Sequence, residues 1–371
     1  MRSKAVLLRE FNQPLSIEEI AVAPPRHGEV MVRVVNAGVC RSELQAIKGK
    51  MPLLPRPIVL GHEGAGIVER VGEGVTAVKP GDHVVLLWRT PCGRCYSCAI
   101  GRPALCEESA AAAGKGAMPD GTLRFSQDGK PVYHYITASY FTEYTVVQEK
   151  AVVPIPKDFP MHVAGIMGCG VLTGIGAVVN TAQVRAGSTV AVFGTGGVGL
   201  NVILGARLVN ARRIIAVDIN DDKLETALSM GATDAVNSSR VDPVTAILDL
   251  TDGRGVEYAF EVIGMAKVFE QAFAATGRAG TTILVGMPAP EEVFSFPARM
   301  LFANEKRVEA SFYGTTKPYL DIPWLVGLYQ AGRLPLDKLI SRHYPLDQYN
   351  EAIRALEAGE VARGVLDVTP L

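Results

Sequence analysis

The chain has 371 residues, 48% hydrophobic and 20% charged, with a formal net charge of −1. That length exceeds one ordinary core, so two domains are expected. The near-neutral charge, with no basic block, excludes the electrostatic footprint of a nucleic-acid binder.

Residues 1–10 alternate charge with short apolar runs and lack the continuous apolar stretch of a secretion signal, so a cytoplasmic location is expected. Strand-like runs follow at 4–8, 15–20 and 30–37, with Pro and Gly between them. Runs at 67–71 and 83–86 are separated by the turn Lys79-Pro80-Gly81-Asp82. Residues 106–140, rich in Ala, Gly and Ser, read as a long loop. The pattern changes near Cys169. Strands are expected at 190–193, 214–217, 235–237, 256–262 and 281–285, and helices from the first of these to about 210, at 222–230, at 243–249 and before 281. This alternation predicts a parallel sheet covered on both faces. Helical patterns at 322–331 and 346–358 and a strand at 364–368 close the chain. Residues 189–209 are apolar enough to raise the question of a membrane span. Glycines at 194, 196, 197, 199 and 205 favour a strand, a tight turn and a helix instead.

Gly194-Thr195-Gly196-Gly197-Val198-Gly199 fits the phosphate-binding pattern G-x-G-x-x-G. It follows an apolar strand, opens a helix and precedes Asp218 at the end of the next strand. Gly194, Gly196, Gly197 and Gly199, with the Val198 backbone, would admit a pyrophosphate to the helix N-terminus, where unpaired N–H groups favour an anion. Asp218 would accept hydrogen bonds from ribose hydroxyls and repel a 2′-phosphate, so NAD is expected over NADP. The alternative is a plain strand–helix turn with Asp218 capping the next helix.

Six cysteines are present, and without a secretion signal metal or catalytic roles are favoured over disulfides. Cys92, Cys95, Cys98 and Cys106 lie in one short loop, and four thiolates close a tetrahedral zinc shell, a structural site worth on the order of 10 kcal/mol of local folding free energy. A redox pair or an iron–sulfur cluster are the alternatives. Cys40, Cys169 and His62 remain, and two thiolates, an imidazole and one open position are the composition of a catalytic zinc site. Spacing alone does not bring the three together.

Gly61-His62-Glu63-x2-Gly66-x5-Gly72-x2-Val75, the four-cysteine loop, the glycine turn and Gly168-Cys169-Gly170, in this order, resemble the zinc-dependent medium-chain alcohol dehydrogenase family over essentially the whole chain. Gly121-Thr122-Leu123-Arg124-Phe125 and residues 141–146 are similar to its long-loop branch, which includes the liver-type and glutathione-dependent formaldehyde dehydrogenases. The resemblance implies an α/β protein with a GroES-like β-rich catalytic domain at 1–170, a Rossmann doubly wound coenzyme domain at 171–313 and a return to the catalytic domain at 314–371. It implies two Zn²⁺ per chain, NAD, a small-molecule alcohol or aldehyde as partner, no membrane and a homodimer.

Residue by residue, the resemblance makes Cys40, His62 and Cys169 the catalytic zinc ligands, with Glu63 behind the metal. Ser42 becomes the hydroxyl that starts the proton relay. Arg41 and Arg363 become pyrophosphate contacts, Lys223 an adenosine-ribose neighbour, and Thr173 and Tyr313 nicotinamide neighbours. Trp88 falls on an aromatic wall of the substrate pocket. Without the resemblance, Arg41, Lys223 and Arg363 read as solvated surface charge. Gln45 replaces a histidine that ends the relay in many relatives, and an amide is no base near neutral pH. Glu43 replaces the aspartate that orients the zinc-bound histidine. Met51 and Leu53 stand where glutathione-using relatives are acidic, and Ala110 lies near the place of their arginine, so a hydrophobic or aromatic primary alcohol is expected. The alternatives are an S-(hydroxymethyl)glutathione dehydrogenase, a nicotinoprotein with tightly bound NAD, or a non-catalytic NAD-binding protein.

Overall fold

The structure, a computed structural model, describes residues 1–51 and 53–371. Contacts gather them into two units: Met1–Cys169 with Lys317–Leu371, and Gly170–Thr316.

The first unit is β-rich. Among the described residues, Arg2–Leu8, Ser16–Val22, Phe125–Gln127, Lys130–His134 and Ile58–Val59 close a barrel. A second sheet runs Val152–Ile155, His83–Leu86, Gly64–Val71, Glu29–Val39, Gly364–Asp367, Arg342–Pro345, with Tyr144–Gln148 also paired to Glu29–Val39. Val30, Val32, Val34, Leu86, Tyr140 and Phe141 pack its core. One pairing matters for the site: Gly364 lies opposite Val39, which sets Arg363 beside Cys40.

The stretch 106–140 is not one loop. Glu107–Ala113 is a helix, as two first-turn glutamates and four alanines favour. Phe125–Gln127 and Lys130–His134 form a hairpin. Its turn, Asp128-Gly129, has φ of 50° and 75°, the positive values a tight two-residue turn demands. The Asp-Gly pair was a readable hairpin signal, masked by the short strands around it.

In the second unit, the described strands run in the order Asp234–Asn237, Arg213–Asp218, Thr189–Phe193, Val256–Glu261, Thr276–Leu284, Arg307–Ala310, all parallel. This is the doubly wound order, with its reversal point between Thr189–Phe193 and Val256–Glu261. The edge strand Arg307–Ala310 escaped the sequence reading because its run Arg-Val-Glu-Ala has no apolar signature. The apolar stretch from 189 forms a strand, a glycine turn and the helix Gly197–Leu208. The continuous run Met161–Thr181 is long and apolar enough to cross a membrane, but 78% of its most apolar window is buried within the protein, as expected of a core helix.

Candidate functional site

Cys40 ends the strand Glu29–Val39 and precedes the short helix Arg41–Ile47. Glu43, one turn into that helix, accepts the Cys40 N–H at 3.1 Å. Its other carboxylate oxygen lies 2.5 Å from His62 Nδ1. Glu43 is fully buried and His62 2% exposed, so the imidazole is held with Nδ1 occupied and Nε2 left to bind a ligand. Cys169 arrives from a wide helical turn, Met167–Val171. The ligand atoms of Cys40, His62, Glu63 and Cys169 all lie within 4.8 Å of one another. The fold thus unites residues that spacing could not.

The electrostatics suit a cation. The Cys169 hydrogen bond, then His62, holds the Cys40 thiol well below its ordinary range. That same hydrogen bond, with burial, holds the Cys169 thiol above it. Burial opposes charge on His62, but the Glu43 carboxylate and Cys40 raise its pKa well above the usual value. A metal would displace these shared protons and complete the shell. Glu63 is fully buried, and burial pushes its carboxyl up to about 8 against the pull of Arg363. Arg363 Nη1 donates to Glu63 Oε1 at 2.9 Å. Glu63 Oε2 and Arg363 Nη2 have no partner among the described residues. Arg363 is therefore no solvated surface charge: it is 3% exposed and tied to the site.

Around the site, the Ser42 hydroxyl is 3.8 Å from Cys40 Sγ. Gln45 is half-buried on the same helix, and Arg41 is exposed at its start. Trp88 stands edge-on to the His62 ring, 6.2 Å between centroids. Tyr135 does the same at 5.9 Å and donates to the Ser42 carbonyl at 3.0 Å. Sequence reasoning missed Tyr135, which lay in the supposed loop. Met51 Sδ lies 3.7 Å from the Tyr135 hydroxyl oxygen, while Leu53 is 87% exposed.

The second cysteine group is equally compact. The sulfurs of Cys92, Cys95, Cys98 and Cys106 lie within 4.8 Å of one another, Cys92 and Cys98 at 4.0 Å. A tetrahedral Zn–S shell with bonds near 2.3 Å separates its sulfurs by about 3.8 Å, so zinc fits with little rearrangement. The N–H groups of Arg94 and Cys95 donate to Cys92 Sγ at 3.4 and 3.2 Å. A hydrogen bond from the Glu107 N–H brings the Cys95 thiol down to about 7.

In the second unit, Gly194 has φ +100°. A Cβ at Gly199 would lie 1.9 Å from the Gly194 carbonyl oxygen, so the turn closes only with glycine there. Gly196 caps the helix that Gly197 and Val198 begin. Asp218 does not cap the following helix; Asn220 does, accepting from Asp222 and Lys223 N–H. Asp218 instead reaches back to the turn. Its Oδ2 accepts from the Thr195 N–H at 2.8 Å and hydroxyl at 3.0 Å. Its Oδ1 accepts from Ile219 and Asn220 N–H at 2.8 and 3.2 Å. Thr173 and Tyr313 are also brought together. Tyr313, Gly314 and Thr315 have φ of 53°, 64° and 49°. This left-handed run packs so closely that a Cβ on Gly314 would meet the Thr173 carbonyl at 2.9 Å.

Comparison with known proteins adds the family. Residues 26–157 match the alcohol dehydrogenase GroES-like domain, and 197–330 the zinc-binding dehydrogenase domain. An alcohol dehydrogenase zinc-binding domain protein from Burkholderia ambifaria is similar at 39% identity and TM-score 0.96, covering 100% of both chains. Benzyl alcohol dehydrogenase from Acinetobacter calcoaceticus is similar at 34% identity and TM-score 0.95, again covering 100% of both. A zinc-binding dehydrogenase from Sinorhizobium meliloti 1021 bound to NADP is 25% identical at TM-score 0.82, covering 99% of this chain and 100% of that one. With sequence, fold and metal-ligand geometry in agreement, the chain belongs to the zinc-dependent alcohol dehydrogenase family of oxidoreductases.

Proposed function

We propose that this protein catalyses the reversible, NAD-linked oxidation of a hydrophobic or aromatic primary alcohol to its aldehyde. The observation that carries the reading is the donor set of buried Cys40 and His62 with half-buried Cys169, and Trp88 edge-on to His62. Zinc held by that set would lower the pKa of a bound alcohol, and the nicotinamide would take the hydride. The chain's own residues do the rest. Glu43 fixes the His62 ring. Glu63 and Arg363 would set the charge beside a bound zinc, and the free Arg363 Nη2 suits an anion. The Ser42 hydroxyl receives the alcohol proton, and since Gln45 is no base the proton passes on through water. Trp88 and Met51 give the pocket an apolar character, and the similarity to a benzyl alcohol dehydrogenase favours an aromatic substrate.

Asp218 supports NAD, because a carboxylate there repels a 2′-phosphate. Four thiolates in one lobe support a second, structural zinc. The sheet edge Arg307–Ala310 supports a homodimer: Val308 is 45% exposed, and Phe302 on the preceding helix 87%. We place the enzyme in the cytoplasm.

The test is a substrate panel on metal-analysed protein. The expected result is two zincs per chain and a higher kcat/KM for benzyl alcohol with NAD than with NADP. A higher kcat/KM for S-hydroxymethylglutathione than for benzyl alcohol overturns the substrate class. NAD released only on unfolding identifies a nicotinoprotein.

A further inference from the structure

A cleft of about 770 Å³ opens at the N-terminal edge of the parallel sheet in Gly170–Thr316. The strand starts Thr189, Arg213, Val256 and Thr276 line it, with Lys306 just ahead of Arg307–Ala310. The glycine turn and Asp218 lie at the opposite edge, roughly a strand length or 15 Å away at about 3.3 Å per residue. Coenzymes bind at that C-terminal edge, so this cleft is a different place.

Its charge is one-sided. Arg212, Arg213, Arg254, Arg278 and Lys306 line it, against the carboxylates of Asp252 and Glu257. The Glu257 carboxylate is already engaged by the Thr189 hydroxyl at 2.6 Å. Arg213 is engaged by Asp234 at 3.2 Å. The Lys306 ammonium is buried without a carboxylate, donating to the Phe273 carbonyl at 2.7 Å, and burial lowers its pKa. The guanidinium groups of Arg212, Arg254 and Arg278 make no hydrogen bond or ion pair among the described residues. Unpaired guanidinium groups around one concavity repel each other and focus a positive potential into it. Their planar forks match phosphate oxygens two at a time. The volume falls in the range of small-molecule sites.

We propose that this cleft binds a phosphate-bearing small-molecule polyanion, held by the guanidinium groups of Arg212, Arg254 and Arg278 beside the buried Lys306 ammonium. The site is independent of the alcohol and coenzyme sites. Calorimetric titration of the zinc-loaded protein with fructose 1,6-bisphosphate, and separately with inorganic phosphate, tests it. The expected result is one saturable site per chain, unaffected by NAD and weakened by added salt. Each arginine removed should weaken binding about tenfold, so Arg254→Ala/Arg278→Ala should raise Kd about a hundredfold. Zinc content and alcohol oxidation should stay unchanged in that variant. Absence of binding by both probes, an unaltered Kd in the double variant, or displacement by NAD would overturn the proposal.

Discussion

Replacing Asp218 by Asn tests both the turn and the coenzyme preference. The carboxylate accepts four hydrogen bonds: two from Thr195, one each from Ile219 and Asn220. An amide has one acceptor oxygen, so in either orientation its NH2 faces two donors. The Thr195 hydroxyl can rotate away, but the backbone donors cannot. A stranded donor costs about 1–3 kcal/mol, and Asp218 is half-buried, so about 2 kcal/mol is expected. For a unit of this size that lowers the melting temperature by about 5 °C. In the proposed coenzyme complex, a ribose hydroxyl would displace the Thr195 hydroxyl at this carboxylate. Losing the charged acceptor should raise KM for NAD by roughly 10–100-fold and narrow the preference over NADP. Thermal melts and initial-rate kinetics with both coenzymes measure these effects. An Asp218→Asn protein that melts with the wild type and keeps its KM for NAD would refute the reasoning.

Other outcomes follow from the same structure. Cys106→Ala should remove one zinc per chain by metal analysis and make the 92–106 lobe sensitive to protease, while the Cys40 site keeps its metal. Arg363→Met removes the hydrogen-bond partner of the fully buried Glu63, whose carboxyl is raised to about 8, and should cost about 1–3 kcal/mol in urea melts. His134 is buried, accepts the Arg124 N–H at Nε2 and contacts the Ala138 carbonyl through Nδ1, and burial lowers its pKa to about 4. The unfolded chain therefore takes up this proton first. The stability contribution is full above about pH 6.5 and falls by roughly 3 kcal/mol as pH drops to 4. His134→Gln should flatten that slope in pH-dependent melts; an unchanged slope would remove His134 as its source.

Much of the site was legible because its chemistry is local. The four cysteines fall within fifteen residues, so a short lobe brings their sulfurs together. The glycine turn needs only its flanking strand and helix. The parallel alternation after Thr189 marked the sheet, except its polar edge strand. Where residues 106–140 read as a loop, the strands are three and five residues long, too short for a period-two pattern to stand out.

By itself, then, the sequence determined which residues could bind metal and phosphate, and through resemblance how they divide between two centres. Tertiary structure decided the partnerships. Cys40, His62 and Cys169 meet through sheet pairing and a wide helical turn, contacts no local pattern encodes. Arg363, which reads as surface charge, is buried against Glu63 because Gly364 pairs with Val39. Asp218 could have capped its own helix; it holds the glycine turn because parallel pairing sets the ends of two strands side by side. Long-range register alone chooses which of a polar group's possible partners is within reach.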